Sequence, residues 1–342
     1  MATPYVFRND SLSISLEAGT LLIHALHPNA LQVVYQPDSL VNPPSNALAG
    51  TGIVHRHCAT LTDRRGVLTL STDSMRAVFD KNTEQLRFYY KNRRLTDEIR
   101  RFAGHSLRGF EFKITEKEQL TGGGERVLGV NRRGQRLLLY NQPSYGYETK
   151  ADVMYYSLPV FISDKKYGVI FDNGAKGWLD LDHDNTNRVR FSAVGGRMSY
   201  IIIAAGNWPS YSKAQAEVCG YQPLVPRWLL GNISSRMGYH SQGQVEEVVR
   251  RFHTGQVPLD AVVLDLYWFG KTLKGTLGAM QWYKDSFPDG PGMIRRLGQQ
   301  GVKTILISEP FILKNSRTYD EVIRLGIEGK TKEGCPQGYS LQ

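Results

Sequence analysis

The 342-residue chain has few cysteines and no long apolar run, and both shortages exclude classes of protein. Its three cysteines, Cys58, Cys219 and Cys335, lie far apart, so their spacing predicts neither a disulfide framework nor a metal site. No apolar run reaches the ~18 residues that a transmembrane helix needs, so no membrane partner is expected. The first ten residues lack the apolar core of a secretory signal. The compartment therefore stays unknown, either the cytoplasm or export with a signal already removed.

Acidic residues are outnumbered by basic ones, and the formal net charge is +10. A nucleic-acid-binding protein usually gathers such an excess into a basic stripe, arm or tail. Here the basic residues are spread along the sequence, so no nucleic-acid partner is predicted. Nucleic-acid binding is therefore the lowest-ranked alternative. Retention of the protein on DNA that falls steeply as the salt concentration rises would support it.

Residues 1–222 carry short runs of alternating apolar and polar residues between turn signals, without a long helical pattern. One hairpin is predicted from Arg76–Asp80 and Gln85–Tyr90, with residues 81–84 as its loop. Many short strands without intervening helices are typical of a β-sandwich. An N-terminal β-sandwich domain is therefore predicted over residues 1–222.

The pattern changes after residues 223–226, a stiff linker that contains two prolines. Beyond it, strand-like and helix-like patterns alternate. Strands are predicted at Trp228–Ile233, Asp260–Tyr267 and Val302–Ser308, and helices at Gln244–Phe252, Pro291–Gln300 and Thr318–Leu325. This order is typical of a doubly wound sheet or of a β/α barrel, and the first strand lacks the glycine-rich turn of a dinucleotide-binding fold. A barrel has eight strands, so residues 227–342 are predicted to form an incomplete (β/α)8 TIM barrel.

Two carboxylates follow consecutive predicted strands, where barrels place their catalytic side chains. Asp265 and Glu309 are expected at equivalent depths on strands ~4.8 Å apart, near the carboxyl separation of retaining glycosidases. Aromatic residues that suit the C–H faces of sugar rings lie beside them: Tyr267, Trp268, Phe269 and Phe311. The alternatives are structural, because a strand-end carboxylate often caps a helix or pairs with a cation, and Trp268 and Phe269 could simply plug the barrel rim.

The order and spacing of several short motifs resemble glycoside hydrolase family 31. In the barrel part these motifs are Trp228-Leu-Leu-Gly231, Ser235-Arg236, Tyr239, Val257-Pro-Leu-Asp260, Leu264-Asp265 and Phe287-Pro288. In the N-terminal part they are Gly124-Glu125-Arg126, Gly129, Asn141, Tyr155-Tyr-Ser-Leu-Pro159 and Gly168. The family comprises retaining α-glycosidases and α-transglucosylases that have a β-sandwich before a catalytic β/α barrel. This implied fold agrees with the one predicted from the residues.

The resemblance implies a retaining α-glycosidase that removes terminal α-linked glucose from α-glucosides or α-glucan oligosaccharides, without a metal or organic cofactor. It implies that Asp265 hydrogen-bonds sugar hydroxyls in the −1 subsite and that Ile312 and its neighbours wall that subsite. Trp268 and Phe269 are expected to shape the same pocket. Glu309 stays a substrate-binding candidate, because the resemblance does not support Asp265 and Glu309 as the catalytic pair.

The family's nucleophile and acid/base segments do not occur in this sequence, so catalytic residues are expected after Gln342. The chain is predicted to be inactive alone and to need the remainder of the barrel, in cis or as another chain.

Two alternative functions stay open. Glu309-Pro310-Phe311 replaces the commoner Asp-Pro of the family and resembles the branch that includes 4-α-glucosyltransferases. The other alternative is a non-catalytic sugar-binding module, in which the sandwich carries the function.

Overall fold

The structure is a computed structural model that describes residues 3–48, 59–141, 151, 154–272, 275–309, 311–330 and 334. Cys58, Pro310 and Cys335 lie outside the described residues, and Cys219 is a partly buried free thiol. The chain divides into two compact units, Met1–Gln222 and Pro223–Gln342. Within the described part, no helix combines the length and the apolar character needed to cross a bilayer.

The first unit is built from two antiparallel sheets. Its strands are β1 (Tyr5–Arg8), β2 (Ser11–Leu16), β3 (Gly19–His27), β4 (Ala30–Pro37), β5 (Thr60–Arg64), β6 (Val67–Ser71), β7 (Met75–Asp80), β8 (Leu86–Tyr90), β9 (Arg93–Ala103), β10 (Arg108–Lys113), β11 (Leu120–Gly122), β12 (Gln135–Leu139), β13 (Val160–Ser163), β14 (Tyr167–Phe171), β15 (Gly177–Leu181), β16 (Arg188–Ala193) and β17 (Ser199–Ala204). The first sheet has the order β1-β2-β3-β4-β17-β14-β13-β11, and the second has the order β12-β15-β16-β10-β9-β8-β7-β6-β5.

The core of this unit lies between the two sheets, which confirms the predicted β-sandwich. Apolar side chains alternate with polar ones along most strands, so each sheet turns an apolar face toward this core. Aromatic rings from both sheets meet at its centre. Phe171 of β14 stacks on Phe191 of β16 with ring centroids 4.4 Å apart, and Phe112 of β10 meets Tyr200 of β17 edge to face at 5.0 Å. The predicted hairpin is also confirmed, as antiparallel β7 and β8.

A helix that the sequence pattern did not predict packs on the first sheet. Helix α1 (Trp208–Cys219) begins at Asn207, whose side chain accepts a hydrogen bond from the Ser210 amide. Only Tyr211, Ala214 and Val218 are buried on its inner face. This apolar face is narrow, so the helical periodicity is weak in the sequence and does not reveal the helix.

A buried carboxylate, Glu118, ties the β10–β11 connection to the first sheet. Its Oε1 accepts hydrogen bonds from Ser163 Oγ and Tyr167 OH, both at 2.6 Å. Its Oε2 accepts from the amide and hydroxyl of Thr115 at 2.9 and 3.0 Å and lies 2.9 Å from Lys165 Nζ. Burial opposes ionisation of Glu118, but these donors outweigh it and hold its pKa below the ordinary value of 4.5.

We expect Glu118 to stabilise the fold in a pH-dependent manner. A carboxyl with a depressed folded-state pKa contributes stability above its unfolded pKa and loses it as the pH falls through the folded value. Glu118→Gln should therefore cost free energy of unfolding at pH 7, and the difference from the wild type should shrink below pH 4.5. Urea titrations of both proteins between pH 7 and pH 3 measure it. A constant difference over that range would contradict the role of the charge.

The second unit contains three parallel strands and three helices. They are β18 (Ile233–Arg236), α2 (Gln242–Thr254), β19 (Ala261–Leu264), α3 (Gly290–Gln299), β20 (Lys303–Leu306) and α4 (Tyr319–Leu325). The sheet order β18-β19-β20 follows the chain order. Side chains of both α2 and α3 pack with Val262 and Leu264, and Arg296 of α3 bonds Glu246 of α2. Sequential strands with α2 and α3 on one face are typical of a barrel, since a doubly wound sheet carries helices on both faces.

The first barrel strand begins later than predicted. Residues Arg227–Leu230 form a short 3₁₀ helix instead, and the strand occupies Ile233–Arg236. The apolar run at Trp228 predicts a strand, but Leu229 and Leu230 are exposed. The run follows Pro226, whose backbone conformation starts the 3₁₀ turn, so hydrophobicity alone misplaced the strand. Ser241 caps α2, because its Oγ accepts a hydrogen bond from the Gln244 amide.

Candidate functional site

The candidate site lies at the carboxyl ends of the three parallel strands. Asp265 directly follows β19, the middle strand, and is partly buried. Its Oδ1 accepts a hydrogen bond of 2.7 Å from the Leu266 amide and thereby caps the short 3₁₀ helix Leu266–Trp268. Within the described residues Oδ2 has no hydrogen-bond partner. The backbone therefore holds the carboxylate in place and leaves one oxygen for a ligand.

Glu309 does not lie at the same depth as Asp265. In the parallel ladder Leu264 pairs with Leu306, and the Ile307 amide donates to the Leu264 carbonyl at 2.9 Å. Asp265 is therefore level with Ile307, and Glu309 lies two residues further along, a displacement of about 6–7 Å in extended chain. The expectation of equivalent depths was wrong, because strand register cannot be counted from the ends of apolar runs.

Trp268 and Phe269 lie beneath the strand ends, in the apolar core. They are only 5% and 3% exposed. Trp268 Nε1 donates a 2.8 Å hydrogen bond to the Ile307 carbonyl, and its ring packs against those of Phe269 and Trp282 at centroid distances of 5.1 and 5.3 Å. Their ring faces are covered, so in this structure they brace the loop that carries Asp265 and present no stacking surface to a sugar.

Ile312 lies in the loop after β20, where it contacts the loop after β19. A Cβ placed on Gly278 would lie 2.8 Å from Ile312 Cα, and Gly278 has a φ of +83°. The Leu313 amide donates to the Leu277 carbonyl at 3.2 Å, and Thr318 Oγ1 donates to the Gly278 carbonyl at 2.7 Å. Glycine is therefore required at position 278. These contacts place Ile312 against the same loop, after β19, that begins with Asp265.

Sequence reasoning missed His240, which follows β18. Its ring lies 3.9 Å from that of Tyr267, centroid to centroid, at an angle of 53°. This contact joins the loops after β18 and β19. Among the described residues near the strand ends, the rings of His240 and Phe311 are exposed and that of Tyr267 is partly exposed, while Trp268 and Phe269 are covered. The sequence signal that could have identified His240 is its position shortly after a predicted barrel strand.

No group of three His, Cys, Asp or Glu side chains in the described ranges could hold a metal ion. The site as described consists of one partly free carboxylate, a braced aromatic base and three accessible rings. Such a set can accept hydroxyl hydrogen bonds and pack against C–H groups, as sugar binding requires.

Two family models match this chain. The model described as the glycosyl hydrolases family 31 TIM-barrel domain matches residues 222–339. The glycosyl hydrolase 31 N-terminal galactose mutarotase-like domain matches residues 20–180. Together the two matches cover most of the sandwich and nearly all of the second unit.

Curated relatives and solved structures agree with these models. The alpha-glucosidase 2 of Bacillus thermoamyloliquefaciens is 26% identical over 276 residues, which cover 78% of this chain and 34% of that protein. An alpha-xylosidase of Saccharolobus solfataricus is 28% identical over 217 residues, 62% of this chain and 28% of that one. A family 31 dextranase of Flavobacterium johnsoniae, solved with isomaltotriose, superposes with a TM-score of 0.86 at 22% identity, covering 95% of this chain and 40% of that one. The chain thus spans about a third of the length of the curated relatives it matches.

Proposed function

The chain belongs to glycoside hydrolase family 31, and from this membership we propose that it forms part of a retaining α-glycosidase. The proposed substrates are α-glucosides or α-glucan oligosaccharides with a terminal α-linked glucose. The observation that carries the proposal is the Asp265 carboxylate, held by the Leu266 amide at the end of a middle barrel strand with one oxygen unengaged.

Asp265 acts by positioning the sugar. In a retaining mechanism one carboxylate attacks the anomeric carbon and a second carboxyl protonates the leaving oxygen, after which water releases the sugar with retention. In the proposal Asp265 takes neither role and accepts hydrogen bonds from hydroxyls of the glucose in the −1 subsite. Ile312 walls this subsite, Trp268 and Phe269 brace the loop from below, and Glu309, further along its strand, binds sugar beyond Asp265.

The catalytic carboxylates come from further barrel strands, in cis or from another chain. Within the described residues β18 and β20 each pair on one edge only. Val263 and Ile305, whose register positions alternate with those that face the helices, remain partly exposed. An eight-stranded barrel would pair both edges and cover these side chains.

We expect the 342-residue chain alone to show no turnover of α-glucosides, because the proposed nucleophile and acid/base lie outside it. Release of nitrophenol from p-nitrophenyl α-glucoside by the purified chain measures this, and circular dichroism verifies that it is folded. The chain co-produced with the remaining barrel strands serves as the positive control. Turnover by the chain alone that Asp265→Asn or Glu309→Gln abolishes would contradict the proposal and restore these two residues as a catalytic pair.

Transfer to a sugar acceptor is the second candidate reaction. Phe311 follows the Glu309-Pro310 motif and is 40% exposed, so its ring is available to stack on an acceptor sugar. Maltotriose products from the complete barrel distinguish the two reactions: longer oligosaccharides indicate transfer, and glucose with maltose alone indicates hydrolysis.

A further inference from the structure

The outer face of the nine-stranded sheet in the first unit carries an open cavity of about 860 Å³. Six basic side chains line it, and we call them and their surroundings the basic face: Arg87, Arg94, Arg100, Lys113, Arg188 and Arg190. The carboxylates in its lining are only those of Asp97 and Glu111. Six basic residues that are dispersed in the sequence thus meet on one surface.

A row of alternating charge crosses this face. The strand register places one residue from each of five neighbouring strands side by side: Arg136, Asp180, Arg190, Glu111 and Arg100. Glu111 is only 2% exposed and accepts a 2.9 Å hydrogen bond from Arg190 Nε. Guanidinium nitrogens of Arg100 and Arg188 each lie 3.5 Å from it.

One buried carboxylate therefore orients three guanidinium groups whose side chains remain about half exposed. Each guanidinium carries five N–H donors, and a carboxylate offers about four acceptor positions. Most of these donors are consequently free to bond a ligand above the sheet, and the groups that carry them are held in place before it arrives.

The next row toward one end of the strands consists of Arg188, Lys113, Asp97 and Arg87. Arg188 and Lys113 are direct cross-strand partners, an arrangement that like charges make unfavourable. Asp97, on the other side of Lys113, is already engaged by Arg94, whose Nε donates to its Oδ1 at 2.8 Å. Lys113 forms no ion pair with any residue in the described part of the chain. An anion placed between the two side chains would remove this repulsion and gain charge-assisted hydrogen bonds.

The row on the other side of the alternating charges is aromatic. Trp178, Ser192, Gly109 and Phe102 follow one another across four strands. A second cavity of about 190 Å³ lies here, and Arg100, Glu111 and Arg190 line both cavities. The two cavities therefore form one continuous surface, aromatic at one end, mixed in charge at its centre and basic at the other end.

We propose that the basic face binds an anionic oligosaccharide. The carboxylate, sulfate or phosphate groups of this ligand bond Arg188 and Lys113, its hydroxyls bond the alternating donors and acceptors of the central row, and one sugar ring stacks on Trp178. The interleaved Asp97, Glu111 and Asp180 favour a saccharide over a nucleic acid, because they would lie beneath a continuous phosphate backbone. The proposal needs no catalytic step, so it stands or fails separately from glycosidase activity.

Binding of sulfated dextran to the chain, followed by calorimetry at several salt concentrations, tests the proposal. Unsulfated dextran of the same length and a double-stranded DNA of the same charge, whose paired bases cannot stack on a side chain, are the comparison ligands. Lys113→Gln/Arg188→Gln should weaken binding of sulfated dextran by at least about tenfold, since it removes both anion contacts. Arg8→Gln/Arg64→Gln is the matched control, because it removes the same charge from exposed positions outside both cavities.

Trp178→Leu separates a saccharide from other polyanions. We expect it to weaken the binding of sulfated dextran several-fold and to leave the binding of DNA unchanged. Thermal unfolding of all variants verifies that they remain folded. The proposal is overturned if sulfated dextran does not bind, if both double variants lose affinity equally, or if DNA binds as tightly and Trp178→Leu changes neither ligand. The last result would assign the face to nucleic acid.

Discussion

Asp265→Asn in the complete barrel is expected to lower kcat/KM for a terminal α-glucoside by about 10²- to 10³-fold. Asparagine keeps the size of the side chain, and its Oδ1 can still accept the Leu266 amide that caps the 3₁₀ helix. The variant therefore removes the charge and one strong acceptor for sugar hydroxyls while the loop stays in place. Hydrogen bonds to sugar hydroxyls that strengthen in the transition state contribute several kcal/mol in glycosidases.

Steady-state kinetics on p-nitrophenyl α-glucoside, with Asp320→Asn as the matched control, measure this effect. Asp320 is an exposed carboxylate in the first turn of α4, so its variant changes the charge equally and should retain activity. Asp265→Ala would in addition lose the cap and should be less stable than Asp265→Asn. If the kcat/KM of Asp265→Asn lies within threefold of the wild-type value, Asp265 does not position the sugar.

Arg101→Met is expected to lower the free energy of unfolding by about 3–5 kcal/mol, because it leaves the buried Glu98 carboxylate without its cationic partner. Glu98 is 1% exposed and receives hydrogen bonds from Arg101 Nε at 2.7 Å and from Tyr200 OH at 2.6 Å. Arg101 and Glu98 lie on β9 and Tyr200 on β17, so this network joins the two sheets. Burial, together with the Glu98 charge, raises the pKa of Tyr200 well above its ordinary value, so it remains a donor.

Urea unfolding of the variant beside Arg64→Met checks this expectation. Arg64 lies at the end of β5 in the same unit, and its side chain is exposed. Substitutions at exposed positions usually change the free energy of unfolding by less than about 0.5 kcal/mol, so Arg64→Met should be nearly neutral. Glu98→Leu/Arg101→Met, which removes both charges, should recover part of the loss. If Arg101→Met costs no more than Arg64→Met, the buried network does not hold the sheets together.

Patterns that span a few residues were predicted well. The β7–β8 hairpin, for example, follows from the turn residues between its two strands. The misses came from segments whose structure depends on distant packing. Helix α1 has too narrow an apolar face to show periodicity, and the apolar run at Trp228 is not covered as a strand would be.

The features of the candidate site likewise fall into those that the local sequence predicts and those that depend on distant contacts. The position of Asp265 at a strand end could be read from the apolar run that precedes it, and it lies there in the structure. The depth of Glu309 could not be read, because it depends on the register between β19 and β20, which pairs residues about 40 positions apart. Nor could the contact of His240 with Tyr267, which joins two loops that are distant in sequence.

Taken alone, the amino-acid sequence determined the order of a β-sandwich before a β/α barrel, the family, and a carboxylate at the end of a barrel strand. It could do so because strand alternation, helical periodicity and motif spacing are written into short stretches of chain. Only the tertiary structure decided that Trp268 and Phe269 are covered and that dispersed basic residues converge on one sheet face. Burial and charge proximity depend on which strands become neighbours, and that pairing joins residues as far apart as Arg100 and Arg190.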